Sequence, residues 1–212
     1  MSHIKVFIVE DDTDWIKSLT SFLNRESDML VVGAVTNSSD ALSVAQTISF
    51  DVILMDIHLE GSKLDGIQTA MLLHESSSAK IIMLTSLSDE QAMTRAFTAG
   101  ALQYLDKTRF QELPQTIRSV YHHPAPMEAL LKEFARLKRE EQLKELTGAE
   151  RVVFELIEAG YTQSQIEQKL FKAESTLKNQ VNKMLKKFGV RSSKEAVEKV
   201  RRRGLLQREE KE

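Results

Sequence analysis

The feature that most constrains the fold is a fivefold alternation of short apolar runs with segments of helical spacing. The apolar runs are "IKVFIV", "LVVGAV", "DVILM", "KIIMLT" and "LQYL". The segments between them repeat apolar residues every three or four positions, which is the period of one helix face. This alternation predicts an α/β fold, a doubly wound five-stranded parallel sheet with helices on both faces.

Polar side chains follow the predicted strands at the edge where such sheets bind ligands. They are Glu10, Asp11 and Asp12 after the first strand, Asp56 after the third, Thr85 after the fourth and Lys107 after the fifth. Clustered carboxylates without sulfur ligands suit a hard cation such as Mg²⁺. A cation, a hydroxyl and an ammonium beside one carboxylate would stabilise a phosphoryl group placed on it. Asp56 is therefore the candidate nucleophile.

Charge divides the chain into two unlike parts. Residues 1–122 hold 9 basic and 16 acidic side chains, whereas residues 160–204 hold 12 basic and 4 acidic ones. This asymmetry indicates an acidic domain joined to one that meets a polyanion. The chain has no cysteine, which excludes disulfides and thiolate metal sites. No signal peptide and no apolar run of membrane-spanning length is found, so we expect a cytoplasmic protein without a membrane partner.

Residues 123–142 are predicted to form a linker helix. Pro124 and Pro126 break the preceding helix, and a short apolar stripe follows from Met127 to Leu137. The stripe could dock on the first domain, pair with a second protomer or lie solvated, and the sequence favours none of these alternatives.

The last third reads as a small all-α domain. Thr147 with Glu150 and Thr162 with Gln165 match capping boxes at two helix starts. A third helix has an apolar face, and its opposite face carries Lys178, Asn179, Asn182, Lys183, Lys186 and Lys187. Two helices joined by a short turn, the second one basic and polar outward, predict a helix-turn-helix that enters a DNA major groove.

The first 122 residues resemble a response-regulator receiver domain, which is flavodoxin-like, through "VFIVEDD", "VILMDI", "IIMLTS" and "AGALQYLDK". The resemblance implies that a sensor histidine kinase phosphorylates Asp56. It implies Mg²⁺ ligands at Asp11, Asp12, Asp56 and the backbone carbonyl of His58, phosphoryl contacts at Thr85 and Lys107, and an aromatic switch at Tyr104. Two departures are a loop, "IHLEGSKLDG", that is two residues longer than usual, and Thr108 in place of a frequent proline.

Residues from 143 to about 205 resemble the LuxR-type helix-turn-helix, and the whole chain resembles a NarL/FixJ-type response regulator. The implied domains are a receiver (1–122), a linker helix (123–142) and a DNA-binding domain (143–212). The resemblance implies base contacts by Lys178, Asn179 and Asn182, and homodimers through a final helix, Ser193 to Arg203, when the protein is phosphorylated or bound to DNA. Departures from the family pattern are Glu167, Lys172, Ala173 and Gln180.

Three function classes follow from these patterns. The first is a phosphorylation-controlled transcription factor, which is not an enzyme. A phospho-dependent scaffold whose C-terminal domain binds protein is the alternative. A Mg²⁺-dependent phosphohydrolase would use the Asp-x-Asp of "DDTDW", but it would leave the basic helical tail unexplained.

Overall fold

The chain was analysed as a computed structural model that describes residues 3–62, 64–86 and 90–202. It folds into two compact units that divide between Phe134 and Ala135. All strands found in the described residues belong to the first unit, and the second unit is helical. Among the helices described, none is both long and apolar enough to cross a membrane.

The first unit alternates strands and helices as predicted. The strands are β1 (Ile4–Val9), β2 (Met29–Val35), β3 (Val52–Asp56), β4 (Lys80–Thr85) and β5 (Gln103–Asp106). The helices are α1 (Thr13–Leu23), α2 (Ser38–Val44), α3 (Gly66–Ser76), α4 (Glu90–Thr98) and α5 (Leu113–His122), with a 3₁₀ helix (Lys107–Glu112) before α5. All strands pair in parallel in the order β2-β1-β3-β4-β5, which confirms the doubly wound α/β prediction.

The strand order places a ligand crevice at one point of the sheet. β1 lies between β2 and β3, so the chain moves outward from β1 in both directions. Because crossovers between parallel strands are right-handed, the connections on the two sides of β1 run over opposite faces of the sheet. Sheets of this kind bind ligands at such a switch point, beyond the carboxyl ends of the strands. Val9 pairs with Met55, which brings the ends of β1 and β3 side by side.

Helix α6 (Ala125–Leu143) contributes side chains to both units. Met127 and Leu131, in its first half, pack against the hydrophobic core of the sheet-containing unit. Leu143, at its end, is 1% exposed and belongs to the core of the helical unit. Of the three alternatives for this segment, the structure shows docking of its first half on the first unit.

In the part of the second unit that the structure describes, up to residue 202, four more helices follow. They are α7 (Gly148–Glu158), α8 (Gln163–Leu170), α9 (Glu174–Phe188) and α10 (Ser193–Arg201). Both predicted capping boxes form, at the starts of α7 and α8. Phe154, Met184 and Phe188 are buried together in its core. The predicted end of the last helix, Arg203, lies outside the described residues.

Candidate functional sites

The residues at the carboxyl ends of β1, β3, β4 and β5 meet at the switch point. Asp56 ends β3 and pairs with Leu84 of β4, so Thr85 lies one position further along the neighbouring strand. Lys107 directly follows β5, whose last residue, Asp106, pairs with Thr85. The structure therefore places the predicted nucleophile, hydroxyl and ammonium on three neighbouring strand ends.

Lys107 joins two buried carboxylates. Its Nζ lies 3.1 Å from Asp56 Oδ2. The same Nζ lies 2.8 Å from Glu10 Oε1 and 2.7 Å from Glu10 Oε2, and only the contact to Oε1 has hydrogen-bond geometry. Glu10 and Asp56 are 1% and 4% exposed, so little water reaches them. One ammonium thus neutralises part of the charge of two buried groups.

A three-carboxylate cluster surrounds this position. One oxygen from each of Glu10, Asp11 and Asp56 lies within 4.8 Å of the others. Burial, together with repulsion from Asp56, raises the pKa of Glu10 to about 7. Burial also raises the pKa of Asp56, although Lys107 opposes this shift. Clustered carboxylates of this kind are charged at low cost only when a cation accompanies them.

The carboxylate cluster holds more negative than positive charge. Both oxygens of Glu10 lie within 2.8 Å of Lys107 Nζ, and Asp56 shares the same ammonium at 3.1 Å. One ammonium therefore faces the buried carboxylates of Glu10 and Asp56 and the half-buried one of Asp11, and buried carboxylates are costly without matching positive charge. Oxygen ligands in an acidic cluster suit Mg²⁺, so the residues present fit the predicted ion.

Asp12, which we predicted to be a metal ligand, lies apart from this cluster. Its Oδ1 accepts hydrogen bonds from the backbone amides of Asp14 (2.9 Å) and Trp15 (3.0 Å), so it caps α1. These bonds lower the pKa of Asp12. The sequence analysis named Glu10 among the acidic residues after the first strand, but the metal ligands implied by the resemblance were Asp11 and Asp12, whereas the structure groups Glu10 with Asp11 and Asp56. The signal was available, because an aspartate directly before a helix is a common N-cap.

The remaining receiver residues lie near the same sheet edge. The backbone amide of His58 donates a hydrogen bond to the Asp56 carboxylate, and the imidazole of His58 is exposed. Tyr104 is half-buried on β5, opposite Met83. The predicted roles of the His58 carbonyl and the Tyr104 ring stay predictions.

Gly66 closes the unusually long loop that follows Asp56. Its amide donates a 2.9 Å hydrogen bond to the carbonyl of Ile57. A Cβ at this position would lie 1.7 Å from the carbonyl oxygen of Asp56. Only glycine therefore lets α3 begin this close to the backbone of the candidate nucleophile.

In the second unit, α9 presents the predicted polar face. Leu177, Met184 and Phe188 are buried on one side of the helix. The exposed residues of α9 include all those predicted to bind DNA: Lys178, Asn179, Asn182, Lys183, Lys186 and Lys187. The α8–turn–α9 arrangement has the form of a helix-turn-helix with a basic outward helix.

Comparison with known proteins identifies the family of each part of the chain. Residues 6–118 match the family model of the response regulator receiver domain, and residues 144–200 match that of the bacterial regulatory proteins of the luxR family. The transcriptional regulatory protein LiaR of Bacillus subtilis is 33% identical over 195 residues, which cover 88% of this chain and 92% of LiaR. The transcriptional regulatory protein DesR of the same organism is 33% identical and covers 95% and 98%.

The chain belongs to the LuxR-type two-component response regulators. It is a DNA-binding transcription regulator with a receiver domain and a helix-turn-helix domain, as predicted. A solved structure of the response regulator RcsB from Salmonella typhimurium has the same fold, with a TM-score of 0.54 at 21% identity over 91% of this chain and 95% of that one.

One lysine of this response regulator's α9 has a partner inside its own domain. Lys187 Nζ donates a 2.6 Å hydrogen bond to Glu150 Oε2, and Glu150 is 4% exposed. This bond lowers the pKa of Glu150 to about 2, with a further contribution from the amide of Thr147. Lys187 therefore has a structural role in addition to its predicted contact with DNA phosphate.

Two of the departures from the LuxR-type pattern are bonded to each other. Lys172 Nζ donates a 2.7 Å hydrogen bond to Gln180 Oε1. A third departure, Ala173, is the N-cap of α9 and makes no side-chain capping bond. The fourth, Glu167, accepts a 3.0 Å hydrogen bond from Gln163 on α8.

Proposed function

We propose that Asp56 is the phosphoryl acceptor of this regulator and that a sensor histidine kinase is the donor. An oxygen of Asp56 attacks phosphorus, an O–P bond forms, and the N–P bond to the donor histidine breaks. The observation that carries this proposal is the 3.1 Å contact between Lys107 Nζ and Asp56 Oδ2 at the switch point of the sheet. An ammonium held there offsets negative charge on the reacting oxygens.

The cation site supports the same reaction. We infer that Glu10, Asp11 and Asp56 hold Mg²⁺, with the backbone carbonyl of His58 as a further ligand. When bound, Mg²⁺ neutralises charge on the phosphoryl oxygens. The support is the cluster of three carboxylates, whose oxygens lie within 4.8 Å of one another around a single lysine ammonium.

Phosphorylation changes the charge that the pocket must balance. The phosphoryl group carries a charge of roughly −2 at neutral pH and offers three acceptor oxygens. Lys107 exchanges its contacts with carboxylates for a contact with phosphoryl oxygen, and the Thr85 hydroxyl donates to another. Tyr104 then turns inward, and the surface of α4, β5 and α5 changes. A homodimer forms on this surface or on DNA through α10.

The DNA-reading residues lie on α9. We propose that Lys178, Asn179 and Asn182 contact base edges and that Lys183 and Lys186 contact phosphates. The Lys187 ammonium already donates a hydrogen bond to Glu150, so any contact it makes with phosphate is shared with that carboxylate.

We propose domain bounds of 1–122 and 143–212, with a linker at 123–142. The linker helix gives side chains to both hydrophobic cores. We propose a cytoplasmic location, because the proposed DNA partner is found there.

A two-part experiment tests this function. Wild-type protein incubated with Mg²⁺ and acetyl phosphate should gain one phosphoryl group by intact mass, and Asp56→Asn should gain none. Equal labelling of Asp56→Asn would refute the acceptor assignment. In the second part, gel shifts against genomic fragments at two salt concentrations should show phosphorylation-enhanced binding. Labelling without any DNA binding would instead support the phospho-dependent scaffold.

A further inference from the structure

The turn between α8 and α9 offers few side-chain restraints on the start of α9. Phe171 ends α8 in the left-handed conformation, with φ 51° and ψ 43°, and is 96% exposed. Ala173 is the N-cap of α9 and has no side chain that could bond to the helix amides. By contrast, Thr147, Thr162 and Ser192 cap α7, α8 and α10 through their hydroxyl groups. The start of α9 is held by the packing of Leu177 against Val153 and Ile166, and its N-cap adds no side-chain hydrogen bond.

Lys172, in the middle of this turn, supplies a restraint. Its ammonium donates a 2.7 Å hydrogen bond to Gln180 Oε1, eight residues further along the chain, and both side chains are half-buried. An ammonium can only donate, so the side-chain carbonyl of Gln180 faces Lys172 and its amino group points away. The bond therefore ties the turn to the second turn of α9.

Gln180 lies at the border of the outward face of α9. A helix turns about 100° per residue. Gln180 therefore stands between the buried face, which includes Leu177 and Met184, and the exposed positions of Asn179 and Lys183. Holding Gln180 in place adds a polar restraint on the rotation of α9, next to the residues that would read bases.

We propose that Lys172 is a positioning residue for DNA recognition and acts through Gln180. The proposal rests on the proposed reading of DNA by α9. A glutamine with a free amide recognises adenine by donating and accepting at once. With its carbonyl turned toward Lys172, Gln180 presents its amino group, a donor, on the other side. Loss of Lys172 should therefore lower sequence discrimination while leaving the electrostatic attraction to phosphates unchanged.

The test uses the full chain, phosphorylated with acetyl phosphate and Mg²⁺. Two duplexes are compared, one enriched from a random library by the wild-type protein and one of shuffled sequence. Lys172→Met should lower affinity for the enriched duplex about tenfold. Affinity for the shuffled duplex and the salt slope should stay as in the wild type. The matched control is Lys169→Met, because the Lys169 ammonium lies 3.0 Å from the Tyr161 hydroxyl and not near Gln180. This control should keep the wild-type ratio of the two affinities.

A double-mutant cycle tests whether Lys172 acts through Gln180. In a Gln180→Met background, Lys172→Met should cause no further loss of discrimination, whereas additive losses would overturn the proposal. A salt slope lowered by about one unit per monomer would also overturn it, because Lys172 would then be a phosphate contact. Thermal unfolding checks that each variant folds. If Lys172→Met does not fold, Lys172→Ile, which also places an apolar residue in the turn, replaces it in both experiments.

Failure of the underlying function gives a different result. If the wild-type protein enriches no sequence from the library, both the proposed DNA reading and the positioning role of Lys172 are refuted. If the wild type discriminates and Lys172→Met discriminates equally well, only the positioning role is refuted.

Discussion

Lys187, on the polar side of α9, donates a 2.6 Å hydrogen bond to the buried carboxylate of Glu150 on α7. The same carboxylate oxygen accepts a 2.8 Å hydrogen bond from the backbone amide of Thr147. The start of α7 and the end of α9 are thereby joined through one oxygen atom. The DNA-facing helix is thus held in its domain by a charged pair as well as by its apolar face.

This pair should make stability depend on pH in the acid range. The folded pKa of Glu150, about 2, lies below its ordinary value of 4.5. The contribution of ionised Glu150 to the free energy of unfolding is therefore fully present above pH 4.5 and is lost as pH falls toward 2. Allowing for solvent near Lys187, we expect a loss of about 2 kcal/mol. Glu150→Gln should remove this part of the pH dependence in denaturant unfolding curves. An unchanged pH profile would contradict the role of the pair.

Lys187 and Lys186 should differ in their effect on DNA binding. Lys186→Met should weaken binding to specific and random DNA alike and lower the salt slope by about one unit per monomer. Lys187→Met should change the salt slope less, because its ammonium is shared with Glu150. It should also lower the free energy of unfolding, because it leaves a buried carboxylate without its cation. Salt titrations and unfolding curves of the two variants decide this. Equal salt slopes in the Lys186→Met and Lys187→Met variants would contradict this prediction, because Lys187 would then neutralise as much phosphate charge as Lys186.

The metal site should depend on Glu10 rather than on Asp12. Glu10→Gln should reduce Mg²⁺-dependent phosphorylation at least about tenfold, because it removes a charged ligand from the cluster. Asp12→Ala should keep Mg²⁺ dependence and lower the unfolding midpoint, because α1 loses its cap. The Mg²⁺ concentration that half-saturates phosphorylation is the measurement. A loss of Mg²⁺ dependence in Asp12→Ala alone would restore the assignment made from sequence.

Base reading by α9 should depend on Asn182. Asn182→Ala should cost about 1–3 kcal/mol on the specific site and little on random DNA, because amide contacts to base edges are sequence-dependent. Competition binding measures the ratio of the affinity for the specific site to the affinity for random DNA. If the ratio does not change, α9 reads DNA through other residues.

Gly66→Ala tests the closed loop beside Asp56. The added methyl group meets the Asp56 carbonyl at 1.7 Å, so the backbone must shift. We expect a loss of about 1–3 kcal/mol in stability. Phosphorylation should also slow, because the shift moves the backbone of the acceptor. Gly148→Ala, where a Cβ meets nothing within 4 Å, is the matched control and should leave phosphorylation unchanged.

The parts predictable from sequence were those with a short local period or a fixed position on the chain. The alternation of strands and helices fixes the class of the sheet, and the ends of β3, β4 and β5 place Asp56, Thr85 and Lys107 together. The same local signals place the capping boxes. The roles of the acidic residues after β1 were harder to predict, because Glu10 directly follows the strand and Asp12 directly precedes the helix, and these boundaries are not evident from the sequence.

Contacts between distant segments were not predictable. The period of α9 correctly puts Lys187 on its polar side, but the period of one helix carries no information about Glu150 on another. The pairing of Lys172 with Gln180 could not be predicted either, because in the sequence each residue is only a separate departure from the family pattern. Only the folded chain shows that the two departures meet.

Helix α6 has a consequence for how such a regulator can be recombined in evolution. Its first half carries Met127 and Leu131 of the sheet-containing core, and its end carries Leu143 of the helical core. A crossover at Pro124 would separate Met127 and Leu131 from the receiver that they pack against. A crossover beyond Leu143 would take that residue from the other core. Viable exchange of modules with a relative therefore has to occur within the helix, near residue 134, where neither hydrophobic core loses a member.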